Sequence, residues 1–177
     1  MTTKIFVRPG LKIYQAKKES AYAASIVGKE EPVLEAKHYV FYLSDDSGFS
    51  LQSTAVETFN FLVREKSVWP FGPRTFYRKR LKPGDRVLFY VVKSKQFLGA
   101  ATLKTGAFYD RSREFRQLVR DPNSYRINLE SVLSFETPIL RKALNLSWIP
   151  RQGGCSAITR KEFETVLEAG YEARKEA

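Results

Sequence analysis

The stretch from Ser67 to Asp85 carries the side chains of this sequence that are best suited to binding chemistry. It interleaves aromatic with basic residues, namely Trp69, Phe71, Phe76 and Tyr77 with Arg74, Arg78, Lys79, Arg80 and Lys82. Cations attract the phosphates of any nucleic acid, and an aromatic ring offers a face on which a base can stack, at about 1–3 kcal/mol per base. We therefore predict that these basic residues bind phosphate, although a solvated basic loop is the plainer interpretation of a charge run alone.

The charge of the whole chain favours the same class of partner. Its 177 residues include 30 Lys and Arg against 19 Asp and Glu, a net charge of +11. A protein this basic is biased towards nucleic acid or an anionic membrane. The sequence has neither an apolar run of the roughly 18 residues that span a bilayer nor the apolar core of a secretory signal. We expect a cytoplasmic protein that binds nucleic acid and no membrane.

The nucleophilic and titratable residues give little support to catalysis or metal binding. The chain has one cysteine, Cys155, and one histidine, His38. They are too few for an internal disulfide or for a zinc site of the usual Cys/His kind. Cys155 could act as a nucleophile only if folding brought His38 beside it, and the preceding Gly153-Gly154 either offers amides to an anion or turns the chain. We predict no enzymatic activity, no metal and no cofactor.

Hydrophobic periodicity and capping residues indicate the elements that position the basic stretch. The predicted elements are a strand over 38–43, a turn over 44–48, a helix over 55–66, a turn over 82–85, a hairpin of strands 86–92 and 96–104, a short helix over 110–119, strands over 125–133 and 135–140, and a final helix after Thr159. Residues 1–37 form a separable N-terminal extension, and residues 38–177 form the main domain. The fold class is α+β.

Individual residues within these elements predict further features of the structure. The small residues of Gly99-Ala100-Ala101 permit a bulge or the close approach of another backbone. The final helix places Phe163, Val166, Leu167 and Tyr171 on one apolar face. The short helix over 110–119 directs its arginines outwards as a second phosphate-facing row, consisting of Arg111, Arg113, Arg116 and Arg120.

The order of these motifs has a counterpart in a known family. The motifs are the aromatic strand over 38–43, Val68-Trp69, Leu81-Lys82-Pro83-Gly84-Asp85 with its strand, Phe97-Leu98-Gly99-Ala100-Ala101, Tyr125-Arg126-Ile127-Asn128-Leu129 and Trp148. Over residues 38–172 this order resembles the EVE domain family of the PUA-like superfamily, which also includes YTH and ASCH domains. The resemblance implies a curved, β-barrel-like mixed sheet flanked by helices, with a pocket for a modified base of DNA or RNA.

By position, the resemblance assigns the pocket to Ser44, Asp45, Trp69, Phe71, Tyr109 and Trp148. Reading a base modification requires the base to leave the stack and to be enclosed by aromatic faces and a few polar groups. Trp69 suits this role because it follows a predicted helix and precedes Pro70, which favours a loop. Core packing is the alternative for both tryptophans.

Two other functions stay open at this point. Some ASCH domains resemble hydrolases that act on modified nucleosides through a lysine, a hydroxyl residue and a carboxylate, but no motif here places such a trio. A protein-interaction module would explain the N-terminal extension but not the basic aromatic stretch. Salt dependence would separate it from nucleic-acid binding, because neutralising phosphates makes affinity fall steeply with salt.

Overall fold

The computed structural model describes residues 35–45, 50–120, 125–150 and 154–175. The predicted N-terminal extension therefore lies outside the described residues except for its last three positions, and so does most of the turn over 44–48. The strands are β1 (His38–Leu43), β2 (Val68–Phe71), β3 (Arg86–Val91), β4 (Gln96–Leu103), β5 (Phe108–Tyr109), β6 (Tyr125–Leu140) and β7 (Cys155–Ile158). The helices are α1 (Ala55–Thr58), continued by a π-helix (Phe59–Glu65), α2 (Arg113–Arg116) and α3 (Arg160–Lys175), with 3-10 turns at Arg78–Arg80 and Arg141–Ala143.

One mixed sheet contains all the strands of the described residues. Its order is β2-β6-β4-β3-β1-β7, and β5 also pairs with β6. The strand β1 runs parallel to β3, whereas β3 and β4 form the predicted antiparallel hairpin. The predicted strands over 125–133 and 135–140 are one strand of 16 residues. This arrangement confirms the α+β fold class.

Bulges bend the sheet in its middle. The β3–β4 register shifts between Phe89 and Tyr90, and the β4–β6 register shifts between Phe97 and Gly99. A Cβ at Gly99 would overlap the carbonyl oxygen of Leu133 and press on the Phe59 ring. The prediction of a bulge or close backbone approach at Gly99 is confirmed, and the curvature follows because bulges increase local bend and twist.

Alternation along β1 separates two apolar clusters on the two faces of the sheet. Phe41 belongs to one cluster together with Trp69 and Phe89. Its neighbour Val40 belongs to the other cluster, which includes Trp148. Successive side chains of a strand point to opposite faces, so neighbouring residues of β1 pack on opposite sides of the sheet.

Both predicted capping boxes begin helices. Thr54 accepts from the Glu57 amide at 3.2 Å while the Glu57 carboxylate accepts from the Thr54 amide at 3.1 Å. Thr159 and Glu162 repeat this exchange at α3. Each pair satisfies amides that have no partner within the helix.

The apolar face of α3 differs from its prediction at one position. Phe163, Val166 and Leu167 are buried as predicted, but Tyr171 is 50% exposed. Gly170 is buried instead, because the Phe135 ring occupies the place that a Cβ would take. Tyr171 lines a cavity together with Phe163 and Leu167, so it shares their side of the helix as predicted, but it stands at the exposed edge of that face.

Three further features were not predicted. Trp69 lies in β2 rather than in a loop, and Ser67 makes the turn before this strand with a φ of 52°. The two-residue strand β5 was predicted as loop. The strand β7 begins at Cys155, directly after the glycine pair, and pairs with β1, where only a turn was predicted.

No helix within the described ranges is long and apolar enough to cross a membrane.

Candidate nucleic-acid interface

The basic segment, residues 73–82, begins two residues after β2 and is fixed at both ends. The Thr75 amide donates to the Gly72 carbonyl at 3.2 Å. At the other end, the Asp85 carboxylate accepts from the Lys82 amide at 2.9 Å and from the Lys37 amide at 3.0 Å. The segment is therefore held against the start of β1 while its middle stands out from the sheet.

The middle of the basic segment presents one aromatic ring and several cations to solvent. Phe76 is 63% exposed, and its ring meets the Tyr77 ring edge-on at a centroid distance of 4.6 Å. Tyr77 itself has a left-handed backbone with φ of 65°, which makes the turn into the 3-10 turn. The exposed cations of the segment are Arg74, Lys79, Arg80 and Lys82. A cavity of about 240 Å³ is lined by residues 73–80.

Arg78 is buried, unlike the other predicted phosphate-binding residues. Its guanidinium carbon lies 3.4 Å from the centre of the Tyr125 ring, and its Nη2 donates to the Pro73 carbonyl at 3.1 Å. With only 9% of the residue exposed, Arg78 holds the segment in shape rather than presenting its charge to solvent. Its prediction as a phosphate ligand is corrected for this reason.

Replacing Arg78 with alanine is expected to lower the free energy of unfolding by about 1–3 kcal/mol, because a charged hydrogen bond and a cation–π contact are both lost. Arg78→Lys should recover little of this loss, since an ammonium group cannot stack as a plane. Denaturant unfolding measures the effect. A lysine variant as stable as the wild type would show that the stacking on Tyr125 contributes nothing.

The predicted pocket residues do not come together in one pocket. Trp69 is 6% exposed and Phe71 is 2% exposed, and both rings pack on Phe41, at centroid distances of 5.8 and 4.9 Å. Trp148 packs instead on Tyr42, the next residue of β1, at 6.0 Å. Because neighbours in a strand face opposite sides of the sheet, Trp69 and Trp148 cannot wall the same pocket.

Ser44, Asp45 and Tyr109 lie elsewhere. The Asp45 carboxylate accepts from the Ala55 amide at 2.9 Å and lies 3.6 Å from the Lys93 ammonium, so it helps to begin α1. Ser44 is exposed at the end of β1. Tyr109 is part of β5 and packs on Tyr125 at 5.3 Å. None of these three residues lines the cavity at residues 73–80 or a second cavity beside Trp148.

The second cavity, which we call the Trp148 cavity, measures about 480 Å³. Its lining includes Tyr77, Ser147, Trp148, Ile149, Ser156 and Glu162. Since Tyr77 lines both cavities, the Trp148 cavity adjoins the basic segment. Its volume lies within the range of about 300–1,000 Å³ that is usual for small-molecule sites.

Hydrogen bonds fix the polar groups of the Trp148 cavity. The Trp148 Nε1 donates to the Ser156 Oγ at 2.8 Å, and the Trp148 amide donates to the Glu162 carboxylate at 2.6 Å. Burial favours the neutral form of Glu162, but the hydrogen bonds from Thr159, Ser147 and Trp148 prevail and hold its pKa below the ordinary value. Tyr77, Ser156 and Glu162 were missed as site residues, because the capping pattern at Glu162 signals only a helix start.

The candidate nucleophile and base are both structural. Cys155 is buried beside β1, and burial raises the pKa of its thiol well above the ordinary range. His38 packs on the Phe163 ring at 4.8 Å, and burial followed by the charge of Arg86 lowers its pKa. A thiol held protonated is a poor nucleophile. In the described part of the chain, no three His, Cys, Asp or Glu side chains lie close enough together to hold a metal ion.

Comparison with known proteins shows the fold. No family model matches the sequence, and no curated protein matches it. A hypothetical protein from Leishmania major has a similar structure, with 13% identity, a TM-score of 0.52, and coverage of 79% of this chain and 98% of that chain. The human THYN1 protein in complex with 5-methylcytosine-containing DNA is similar too, with 13% identity, a TM-score of 0.50, and coverage of 76% and 98%. The chain therefore shares the fold of these two proteins, with the curved mixed sheet that its resemblance to the EVE domain family implies.

Proposed function

We propose that this chain is a non-enzymatic nucleic-acid-binding domain that recognises a modified, everted base in DNA or RNA. One observation carries the proposal: the basic segment exposes Arg74, Lys79, Arg80 and Lys82 around the exposed ring of Phe76. Cations that surround a stacking platform are the arrangement by which proteins bind single-stranded or locally opened nucleic acid.

The Trp148 cavity is the proposed place for the everted base. Tyr77 connects it to the basic segment, so a base that leaves the stack beside Phe76 has a short path to it. Its lining offers the aromatic faces and fixed polar oxygens that enclosing a base requires, from Tyr77, Trp148, Ser156 and Glu162. The THYN1 structure holds DNA with 5-methylcytosine, which makes that base the first probe to use with this chain.

Binding without catalysis is supported by the state of the candidate reactive groups. The thiol of Cys155 is buried among apolar side chains, and the His38 ring packs at a tilt on Phe163. A general base or a nucleophile needs partners within hydrogen-bond reach of the substrate. Neither residue lines the Trp148 cavity.

The exposed ring of Phe76 offers a test of base stacking. Phe76→Ala is expected to weaken binding to single-stranded oligonucleotides by a factor that corresponds to about 1–3 kcal/mol, because one stacked base loses its platform. Fluorescence anisotropy with single- and double-stranded DNA and RNA, with and without methylated bases, measures the affinities. We expect the wild type to prefer one methylated probe.

Tyr171→Ala is the matched control, since it removes another exposed aromatic ring, on α3, and should leave affinity unchanged. Equal affinity of the wild type and Phe76→Ala for every probe would refute stacking at this position. Conversion of a modified nucleoside, seen by mass spectrometry, would refute the non-enzymatic assignment.

A further inference from the structure

A second patch, with an exposed aromatic ring and exposed arginines, lies at the same end of the sheet as the basic segment. In the β2–β6–β5 part of the sheet, Tyr125 pairs with Phe71 on one side and with Tyr109 on the other. Neighbouring strands lie about 4.8 Å apart, so the backbones of Phe71 and Tyr109 are about 10 Å apart. Both β2 and β5 run antiparallel to β6, and therefore the chain leaves the sheet at the same end after each of them.

We call this second surface the β5 patch and define it as Tyr109, Arg111 and Arg113. Tyr109 is 38% exposed, and the guanidinium of Arg111 lies 5.1 Å from the centre of its ring. Arg113 is exposed on α2. Phe108 pairs with Arg126 and points to the opposite face of the sheet, so it is not part of the patch. The exposed Tyr109 ring is thus accompanied by cations, as Phe76 is in the basic segment.

The conformation of the β5 patch is fixed by an ion pair beneath it. The Asp110 carboxylate lies 2.7 Å from the Arg126 guanidinium and accepts from the Ser112 amide at 2.7 Å. Arg126 also lies 5.2 Å from the centre of the Phe108 ring. Asp110 therefore neutralises Arg126 rather than the exposed arginines, and over residues 108–120 those arginines face one further acid, Glu114.

A stack of side chains joins the two surfaces. Arg78, which shapes the basic segment, lies on the Tyr125 ring at 3.4 Å, and Tyr125 packs on Tyr109 at 5.3 Å. The basic segment and the β5 patch are therefore joined by direct side-chain contacts. The spacing of about 10 Å between their strands is a distance that a nucleic-acid strand of several nucleotides spans.

We propose that the β5 patch extends the interface, so that one single strand of nucleic acid lies across both surfaces with a base stacked on Tyr109. The inference rests on the proposed function, because it assumes that the basic segment binds the same strand. A single strand is the occupant that fits, since the faces of bases in a duplex are already covered by their neighbours.

The test is a length series of unmodified single-stranded oligothymidylates, from about 3 to about 12 nucleotides, with affinities measured by anisotropy. The wild type should gain affinity with length until both surfaces are covered. Tyr109→Ala should bind the shortest probe as the wild type does and bind the longest probe roughly 5- to 100-fold more weakly. Phe108→Ala removes a ring of similar exposure on the opposite face and should bind every probe as the wild type does. Arg111→Gln with Arg113→Gln keeps the rings and should flatten the salt slope for the longest probe by about 1.4.

The possible results distinguish a failure of this inference from a failure of the proposed function. If the wild type binds, and if Tyr109→Ala and the double arginine variant both match it at every length, the β5 patch is not part of the interface, while the proposed function stands. If the wild type binds no probe of any length or modification, both fail. A third outcome has three parts: the arginine variant loses affinity, Tyr109→Ala binds as the wild type does, and a long abasic probe binds as well as the normal probe. In that case the stacking assignment is wrong.

Discussion

Trp69→Ala is expected to lower the free energy of unfolding by about 3–5 kcal/mol, which for a chain of this size is a fall in melting temperature of roughly 6–20 °C. The ring is 6% exposed and touches Phe41 and Phe89 at centroid distances of 5.8 and 5.4 Å. Its removal leaves a cavity that the curled sheet cannot close, because the surrounding rings are held by β1 and β3.

Thermal unfolding of the variant measures this loss, and Phe76→Ala is its control, since that ring is exposed and should leave the melting temperature unchanged. At temperatures where Trp69→Ala is folded, its affinities for modified and unmodified probes should fall by the same factor relative to the wild type, or not fall at all. A stable variant that loses only its preference for a modified base would contradict the assignment of Trp69 to the core and would return it to a pocket.

The second large effect is expected from the exposed cations of the basic segment. Neutralising Arg74, Lys79 and Arg80 together as glutamines should flatten the salt slope by about 2 for single strands and by up to about 3 for duplexes. At 0.1 M salt this corresponds to an affinity loss of about 100-fold for single strands, with no selectivity among sequences. Titrations at several salt concentrations measure both quantities.

The control is a second triple variant, which changes the net charge by the same amount at sites outside the basic segment. Lys95, Lys142 and Lys175 are exposed lysines of the β3–β4 turn, the 3-10 turn after β6 and the end of α3. Their replacement by glutamine should leave the slope nearly unchanged. If both triple variants flatten the slope alike, binding depends on net charge and not on the basic segment.

The elements with strong local signals could be predicted from the sequence. The β1 strand, the two capping boxes and the β3–β4 hairpin each depend on residues close together in the chain, and all of them are present. The strand β5 could not be predicted, because two residues carry no periodicity and it forms only by pairing with the start of β6. The position of Gly170 in the core likewise depends on Phe135, which is distant in sequence.

The candidate site was only partly predictable for a related reason. Composition and spacing identify the basic segment, but they cannot tell an exposed arginine from a stacked one. Arg78 differs from Arg80 through its contacts with the Tyr125 ring and the Pro73 carbonyl. Similarly, nothing local distinguishes the faces on which Trp69 and Trp148 lie. That difference arises from the pairing of β2 with β6 and of β7 with β1.

The central claim is that the basic segment is the surface that binds nucleic acid. Amide hydrogen exchange of the full chain, with and without a saturating oligonucleotide of the best-bound kind, tests it most directly because it reports each part of the backbone separately. Exchange in residues 73–82 is expected to slow on binding, while exchange in the paired strands β1 and β3 stays unchanged. Protection confined to other parts of the chain, with residues 73–82 exchanging as fast as in the free protein, would contradict it.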